Sequence, residues 1–279
     1  MAETAYITQY REEFIAGFED RQSRLRSTVV TEAVIKGSQA VFLVADSGNA
    51  SATTRGGDGL LTARADDNEQ LTAQLAEWHD LVRKTGFNLF ASQGDQRRIM
   101  QMTTMAVINR KMDDDIIAQL NTATNDTGTS ATASLDMVAK SLAILGNNFV
   151  ELSDEDNIFG VITPGFHAYL MQVKEFASSD YVEVKPFNGA AFRARRWSGV
   201  NWITHPRLSG VGTATEKCYL YHRNSVGHAV DTKGLDIDAG YDGEHQYSWS
   251  RVSGFFGSKL LQNAGVVQMK HDGSAYVAA

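Results

Sequence analysis

One cysteine, Cys218, and three prolines are all that 279 residues carry of either type. A single thiol closes no disulfide within the chain, which suits a reducing compartment. So few prolines leave the bends to glycine. It is plentiful at 24 residues, permits positive φ and keeps segments pliable. Long apolar runs are missing too: the stretch Ala40–Ala45 is among the longest, far short of the ~20 residues of a membrane-spanning helix. The opening segment Met1–Tyr10 has neither the basic patch nor the apolar core of a signal peptide. Basic charge is not in excess, with 26 Lys and Arg against 33 Asp and Glu and a net charge of −7. That balance is poor for gripping DNA over a broad face. What remains is ordinary for a folded, soluble, cytoplasmic protein: 43% hydrophobic and 21% charged residues, in a length that suits one large domain or two subdomains.

From Thr4 to about Arg26, Ile7, Phe14, Ile15, Phe18 and Leu25 fall near a helical period among charged residues, with Gly17 inside. This is either an N-terminal helix packed on its own domain or an arm lying on a neighbouring subunit. Extended residues follow from Val29 to Val44, then a polar glycine-rich tip, Arg55-Gly56-Gly57-Asp58-Gly59, then extended sequence again through Leu71, Ala73, Leu75 and Glu77-Trp78-His79. The pattern predicts a long β-hairpin whose outer half is too polar for burial in one molecule. It is a mobile lid or a surface built for another chain. The clearest helix is Asp95 to Asn121, with Ile99, Met102, Met105, Ala106, Met112, Ile116 and Leu120 recurring every three or four residues and no Gly or Pro within. At ~1.5 Å per residue it spans roughly 40 Å.

A linker at 121–131 precedes a short helix with Leu135, Val138, Leu142 and Leu145 on one face. A strand at 158–162 runs into Thr163-Pro164, an N-cap and first-turn proline that start a helix with Phe166, Leu170, Val173 and Phe176 inward. Short strands are expected at Tyr181–Val184, Phe192–Trp197, Val200–Thr204 and Lys217–Tyr221. A helical stretch around Trp249–Asn263 and a last strand, Gly265–Lys270, complete the chain. The order is mixed, not alternating, and predicts an α+β fold.

Motifs for chemistry are absent. Asp46-Ser47-Gly48 lacks a nucleophile elbow, and Gly210-Val211-Gly212 lacks the third glycine and following helix of a dinucleotide loop. Seven scattered histidines form no i,i+4 pair. The cluster Asp231, Asp236, Asp238, Asp242 and Glu244 misses the calcium-loop spacing and reads as a solvated acidic loop. Arg193, Arg195, Arg196 and Arg207, interleaved with Phe192, Trp197 and Trp202, suit single-stranded nucleic acid or, the favoured reading, inter-subunit ion pairs. No catalytic residue, cofactor or metal is assigned.

Three blocks resemble the major capsid proteins of tailed bacteriophages. They are Gly257-Ser258-Lys259-Leu260-Leu261-Gln262-Asn263-Ala264-Gly265-Val266-Val267 with His271-Asp272-Gly273-Ser274-Ala275, the central Phe159-Gly160-Val161-Ile162-Thr163-Pro164-Gly165-Phe166 with Tyr169-Leu170, and Trp78-His79-Asp80. The resemblance covers essentially the whole chain in order. It implies an N-terminal arm (1–36), an E-loop hairpin and its base (37–90), a spine helix with peripheral domain (91–132), a mainly axial domain (133–247), and a C-terminal return to the peripheral domain (248–279). It implies a structural protein, not an enzyme, that forms pentamers and hexamers of an icosahedral head around double-stranded DNA. Implied inter-subunit contacts are Phe14, Phe18, Arg55, Gly56, Gly57, Asp58, Gly59, Arg64 and Trp78. The chain begins at Met1 with the arm close behind, so a separate scaffolding protein is expected instead of a cleaved pro-segment. Further implied partners are a portal protein at one vertex, a decoration or cement protein, and packaged DNA in weak, non-specific contact; no membrane is implied. No lysine lies between Lys36 and Lys84, so a covalent cross-link from the hairpin has no candidate. Alternatives are a nanocompartment shell of the same fold and a metal-dependent hydrolase using His222, His228 and the acidic loop.

Overall fold

The computed structural model describes residues 22–34, 37–46, 50–61, 63, 67–91, 96–177 and 195–276. The first half contains strands β1 (Val30–Val34), β2 (Gln39–Asp46), β3 (Asp67–Gln74) and β4 (Ala76–Thr85), then helices α1 (Gly86–Ala91), α2 (Gln96–Leu120) and α3 (Leu135–Asn147). Strand β5 (Ile158–Ile162), helices α4 (Pro164–Leu170) and α5 (Lys174–Ala177), and strands β6 (Arg195–Trp197), β7 (Val200–Thr204) and β8 (Glu216–His222) follow. The chain closes with β9 (Val226–Asp231), β10 (Asp236–Asp242), β11 (Tyr247–Leu260) and β12 (Val266–His271).

Helices and strands build two sheets and a separate hairpin. The first sheet runs β1-β9-β11-β10, with β4 also paired to β11. The second runs β12-β8-β5-β7-β6, and among the described residues β2 and β3 pair only with each other. The α+β class follows from this mixture of helices with parallel and antiparallel strands. Among the described residues no helix is long and apolar enough to cross a membrane.

Helix α2 forms where the periodicity predicts it, 25 residues without Gly or Pro, although its buried stripe is Met100, Thr104, Ile108, Met112, Ile116 and Leu120, with Ile99, Met102 and Met105 only half-buried. Its buried residues divide between two cores. Ile108 and Met112 pack with Val230, Val252 and Phe256 of the first sheet. One turn further on, Ile116, Ile117 and Leu120 join the larger core of the second sheet with Val138, Phe166, Tyr219 and Val266. The start of α4 also follows its sequence signal: Thr163 Oγ accepts from Phe166 N at 3.1 Å, with Pro164 in the first turn. In α3 the buried face is Met137, Val138, Ser141 and Leu145. Leu135, expected inside, is exposed because the facing second sheet meets the helix one position round.

Three sequence expectations are corrected. The helical stretch around Trp249–Asn263 is instead strand β11, 14 residues long. Its apolar residues alternate with Ser248, Ser250, Ser253 and Ser258, and Gly254 and Gly257 lie within it, a composition that weakens a helix. Three strands, β4, β10 and β9, then satisfy its backbone. Residues 30–34 are not part of the hairpin but pair in parallel with β9. The acidic segment 236–242 is an exposed strand, not a loop. The strand expected at 181–184 lies outside the described residues.

Alternation along β9 shows how the first sheet is sandwiched. Val230 faces helix α2, whereas Ala229 packs with Ala40, Phe42 and Ala73 of the hairpin base on the other face. Glycine makes that approach close. A Cβ on Gly227 would sit 2.8 Å from the Phe42 ring, and one on Gly257 only 1.9 Å from the backbone O of Gln74. Changing Gly257→Ala must therefore push β11 away from the hairpin base, at a cost of about 3 kcal/mol or more. Thermal or urea melts should show that loss, whereas Gly243→Ala, with nothing within 4 Å, should leave the melt unchanged.

Candidate assembly surface

The first described residues are stapled across helix α2. Asp113, buried in mid-helix, accepts from Ser23 Oγ at 2.5 Å, Arg24 N at 3.0 Å and Leu25 N at 3.1 Å. His205 Nε2 stands 3.4 Å from the same carboxylate. Burial works to raise the Asp113 pKa, but the hydrogen bonds from His205, Ser23 and the two backbone amides outweigh it and hold the carboxyl below its usual range. Around it Arg24 Nη1 donates to Thr204 O at 2.6 Å, Arg223 Nη2 to Ser27 O at 2.9 Å, and Thr28 and Tyr221 share a hydroxyl contact of 2.6 Å. The first described residues are thus held on the body by one carboxylate and its ring of donors. Phe14 and Phe18 lie outside the described residues.

The hairpin is anchored on one side and bare on the other. In β2, Ala40 and Phe42 face inward, and the alternate residues Val41 and Leu43 face out, Leu43 being 76% exposed. Their cross-strand partners are Thr72 and Gln70, too polar to cover them. At the tip Gly59 N donates to Gly56 O at 2.9 Å, Gly56 N to Leu60 O at 3.1 Å and Arg55 Nε to Gly59 O at 2.8 Å. Gly59 needs its φ of +85° for this turn. Arg55, Gly56, Gly57 and Asp58 are exposed there, and Gly59 is partly covered by Arg55. Leu60 and Leu61, which the sequence reading passed over, are 71% and 77% exposed. The signal for the bare face was present in the continuous apolar run 40–45, since a strand with apolar residues at odd and even positions has two faces to bury. Arg64 lies outside the described residues.

Trp78 is used within its own chain. Its ring stacks on Phe256 with centroids 6.1 Å apart, and Lys111 Nζ lies 4.0 Å above it. The arginines are also engaged internally where described: Arg196 pairs with Glu155 and Asp156, and Arg207 Nη2 with Asp114 at 2.6 Å. The histidines of the hydrolase alternative are occupied separately. His222 Nδ1 accepts from Asn224 N at 3.2 Å, and His228 Nδ1 meets Ser258 Oγ at 3.0 Å in the interior. Among the described residues no three His, Cys, Asp or Glu side chains gather as metal ligands would. Burial depresses the His228 pKa to about 4, with Arg26 adding to the effect and Asp113 opposing it.

A family model described as phage capsid protein matches residues 2–273. Comparison with curated protein sequences gives no significant match. Among solved structures, Mycobacterium phage Che8 is similar at 13% identity and TM-score 0.76, covering 96% of this chain and 98% of that one. The capsid of Cyanophage P-SCSP1u is similar at 11% identity and TM-score 0.74, covering 96% and 93%. An encapsulin complex from Synechococcus elongatus is similar at 12% identity and TM-score 0.65, covering 98% and 95%.

Removing the Asp113 acceptor leaves buried donors unpaired, so Asp113→Ala should cost about 2–4 kcal/mol. It should also speed tryptic cleavage after Arg24 and Arg26, read by mass spectrometry. Acid should weaken the fold in two windows. His228 is neutral in the folded chain down to about pH 4 but protonates near 6.5 when unfolded. Its contribution is therefore complete above pH 6.5 and is lost as pH falls from 6.5 to 4, by about 3 kcal/mol. Asp113, held low, contributes above the unfolded carboxyl pKa and loses that contribution only at still lower pH. Urea titrations across pH 7 to 4 should show the decline, and His228→Gln should make it shallower, leaving the part that comes from His271 and His222, whose pKa values burial also lowers.

Proposed function

This chain belongs to the phage capsid protein family, and we propose that it is the major head protein of a tailed phage, closing into pentamers and hexamers of an icosahedral shell around double-stranded DNA. It is a structural protein of the capsid, not an enzyme. The observation that carries the assembly reading is the hairpin, packed on its own sheet through Ala40 and Phe42 yet presenting Val41, Leu43, Leu60 and Leu61 to solvent. Exposed apolar rows of this kind mark surfaces meant for another chain. Arg55 to Gly59 at the tip, with Arg64 and the arm residues Phe14 and Phe18, belong to the same proposed contact; Trp78 supports it from within by holding β4 to the helix-packed sheet.

In this reading the sheet carrying α2 is the peripheral body and the sheet carrying α3 and α4 the axial one. Strands β9 and β10 then go with the peripheral body and β12 with the axial one, which shifts the divisions at 133–247 and 248–279 drawn from the sequence. A separate scaffolding protein guides assembly in the host cytoplasm, a portal occupies one vertex, and a cement protein or non-covalent burial locks the shell. A net charge of −7 suits a container that holds DNA without gripping it. The encapsulin likeness supports a second reading, a nanocompartment shell, which the DNA content of native particles separates from the first.

Sedimentation and negative-stain microscopy of the expressed chain should show capsomers or shells. Leu43→Asp, on a face that is bare within the chain, should leave the melt nearly unchanged and abolish particles at concentrations where the parent assembles. A parent chain that stays monomeric throughout contradicts the shell reading.

A further inference from the structure

We infer that the groove beside the end of helix α3 binds a neutral carbohydrate. This activity lies beyond the shell reading and belongs to the surface of a single chain. The groove holds about 530 Å³, within the ~300–1,000 Å³ of small-molecule sites. Its polar side chains include Asn147 at the end of α3, Glu151 just beyond, His222 and Asn224 where β8 turns into β9, and Gln262 in the turn before β12. Among the described residues, the side-chain amides of Asn147, Asn224 and Gln262 and the carboxylate of Glu151 make no hydrogen bond or salt bridge. All four residues are exposed, so a ligand meets them without breaking an internal bond.

The chemistry of this lining selects the ligand. Each side-chain amide presents a donor and an acceptor side by side, and neighbouring hydroxyls of a sugar offer the matching pair. His222 adds a donor. Its Nδ1 accepts from Asn224 N at 3.2 Å, which leaves the ring proton on Nε2. Burial lowers the His222 pKa against the pull of Glu151 and Asp154, so the ring is neutral at pH 7. No lysine or arginine lines the groove. A phosphate, sulfate or uronate therefore finds no counter-charge and meets the carboxylate of Glu151 instead. A purely apolar partner would leave the amides unpaired. A peptide backbone calls for a free strand edge, whereas these groups sit on a helix end, on turns and on β8, which is paired on both sides.

Phe149 supplies the apolar platform. Helix α3 ends in a cap in which Phe149 N donates to Gly146 O and Val150 N to Leu145 O, both at 3.1 Å. The cap holds Phe149 at φ +56°, a position where glycine is the unstrained choice. Its side chain nevertheless lines the groove and the residue is 79% exposed. Backbone strain borne by an exposed aromatic points to use rather than to packing. One face of a pyranose is a row of weakly positive C–H groups, and the face of an aromatic ring is negative, so the two stack. In a shell the site repeats on every subunit, and weak single sites then sum by multivalency against a polysaccharide surface; this last step alone rests on the shell reading.

Saturation-transfer NMR on dissociated full-length subunits tests the site. Maltotriose, triacetylchitotriose and methyl α-mannopyranoside serve as neutral probes, glucuronate and an oligothymidylate as anionic ones. At least one neutral probe should bind, with a Kd on the order of 1 mM, and neither anion should compete. Phe149→Gly removes the ring and relieves the strain. It should keep or raise the Tm, leave particle formation unchanged and weaken binding about tenfold. Gln262→Ala should weaken binding with an unchanged melt. Silence from every neutral probe, parent-like binding by both variants, or tighter binding of an anionic probe overturns the site. Lost assembly of Phe149→Gly also overturns it, because the face is then a contact between copies. A parent chain that stays monomeric contradicts the shell reading and leaves the sugar result standing.

Discussion

A single uninterrupted helix is shared by two hydrophobic cores, and the rest of the molecule is arranged around that sharing. Ile108 and Met112 of α2 close the first sheet, while Ile116, Ile117 and Leu120 close the second. A rigid rod of 25 residues transmits orientation along its length, so a shift of one sheet on the helix is felt by the other. The buried Asp113 sits at the crossover and adds the chain's own N-terminal root to the same junction. Strand β11 does for the first sheet what α2 does for the whole: it joins β4, β10 and β9 in one ladder.

This framework leaves a surplus of apolar surface, and that surplus is the link from structure to function. A two-stranded hairpin is marginal by itself. Here it gains its footing because Phe42 lies against the backbone of Gly227 and Gly257 admits the carbonyl of Gln74. The footing uses only one face. Val41 and Leu43 on the other face, and the leucines at the tip, are exposed, and none of the described residues covers them. In the proposed assembly this firm body with an exposed extension is completed by copies of itself.

How much of this could be read from the residues depended on whether the cause was local. Helix α2 was legible because its period and its lack of Gly and Pro act within a few turns. The Thr163-Pro164 start and strand 158–162 were legible for the same reason. The hairpin showed itself through its glycine tip between extended runs. Strand β11 was not legible, since its identity comes from three partners remote in sequence, and its serines and glycines hide the alternation. Asp113 stands in the sequence merely among three consecutive acids, 113–115; only the fold brings Ser23, Leu25 and His205 to it. Trp78 was recognisable as a conspicuous aromatic, but Phe256, its stacking partner, lies 178 residues away. The tip leucines were overlooked beside the more obvious Arg-Gly-Gly-Asp-Gly, although they are the apolar part of that loop.

The central claim is that the extension is completed between subunits while the body is complete alone. Hydrogen exchange measured on dissociated subunits and on assembled particles tests it most directly. The account predicts that amides of α2, β11 and β8 are protected in both states. Residues 39–46, 50–61 and 67–74 should exchange freely in subunits and gain protection of at least tenfold in particles. Equal protection of the hairpin in the two states would contradict it.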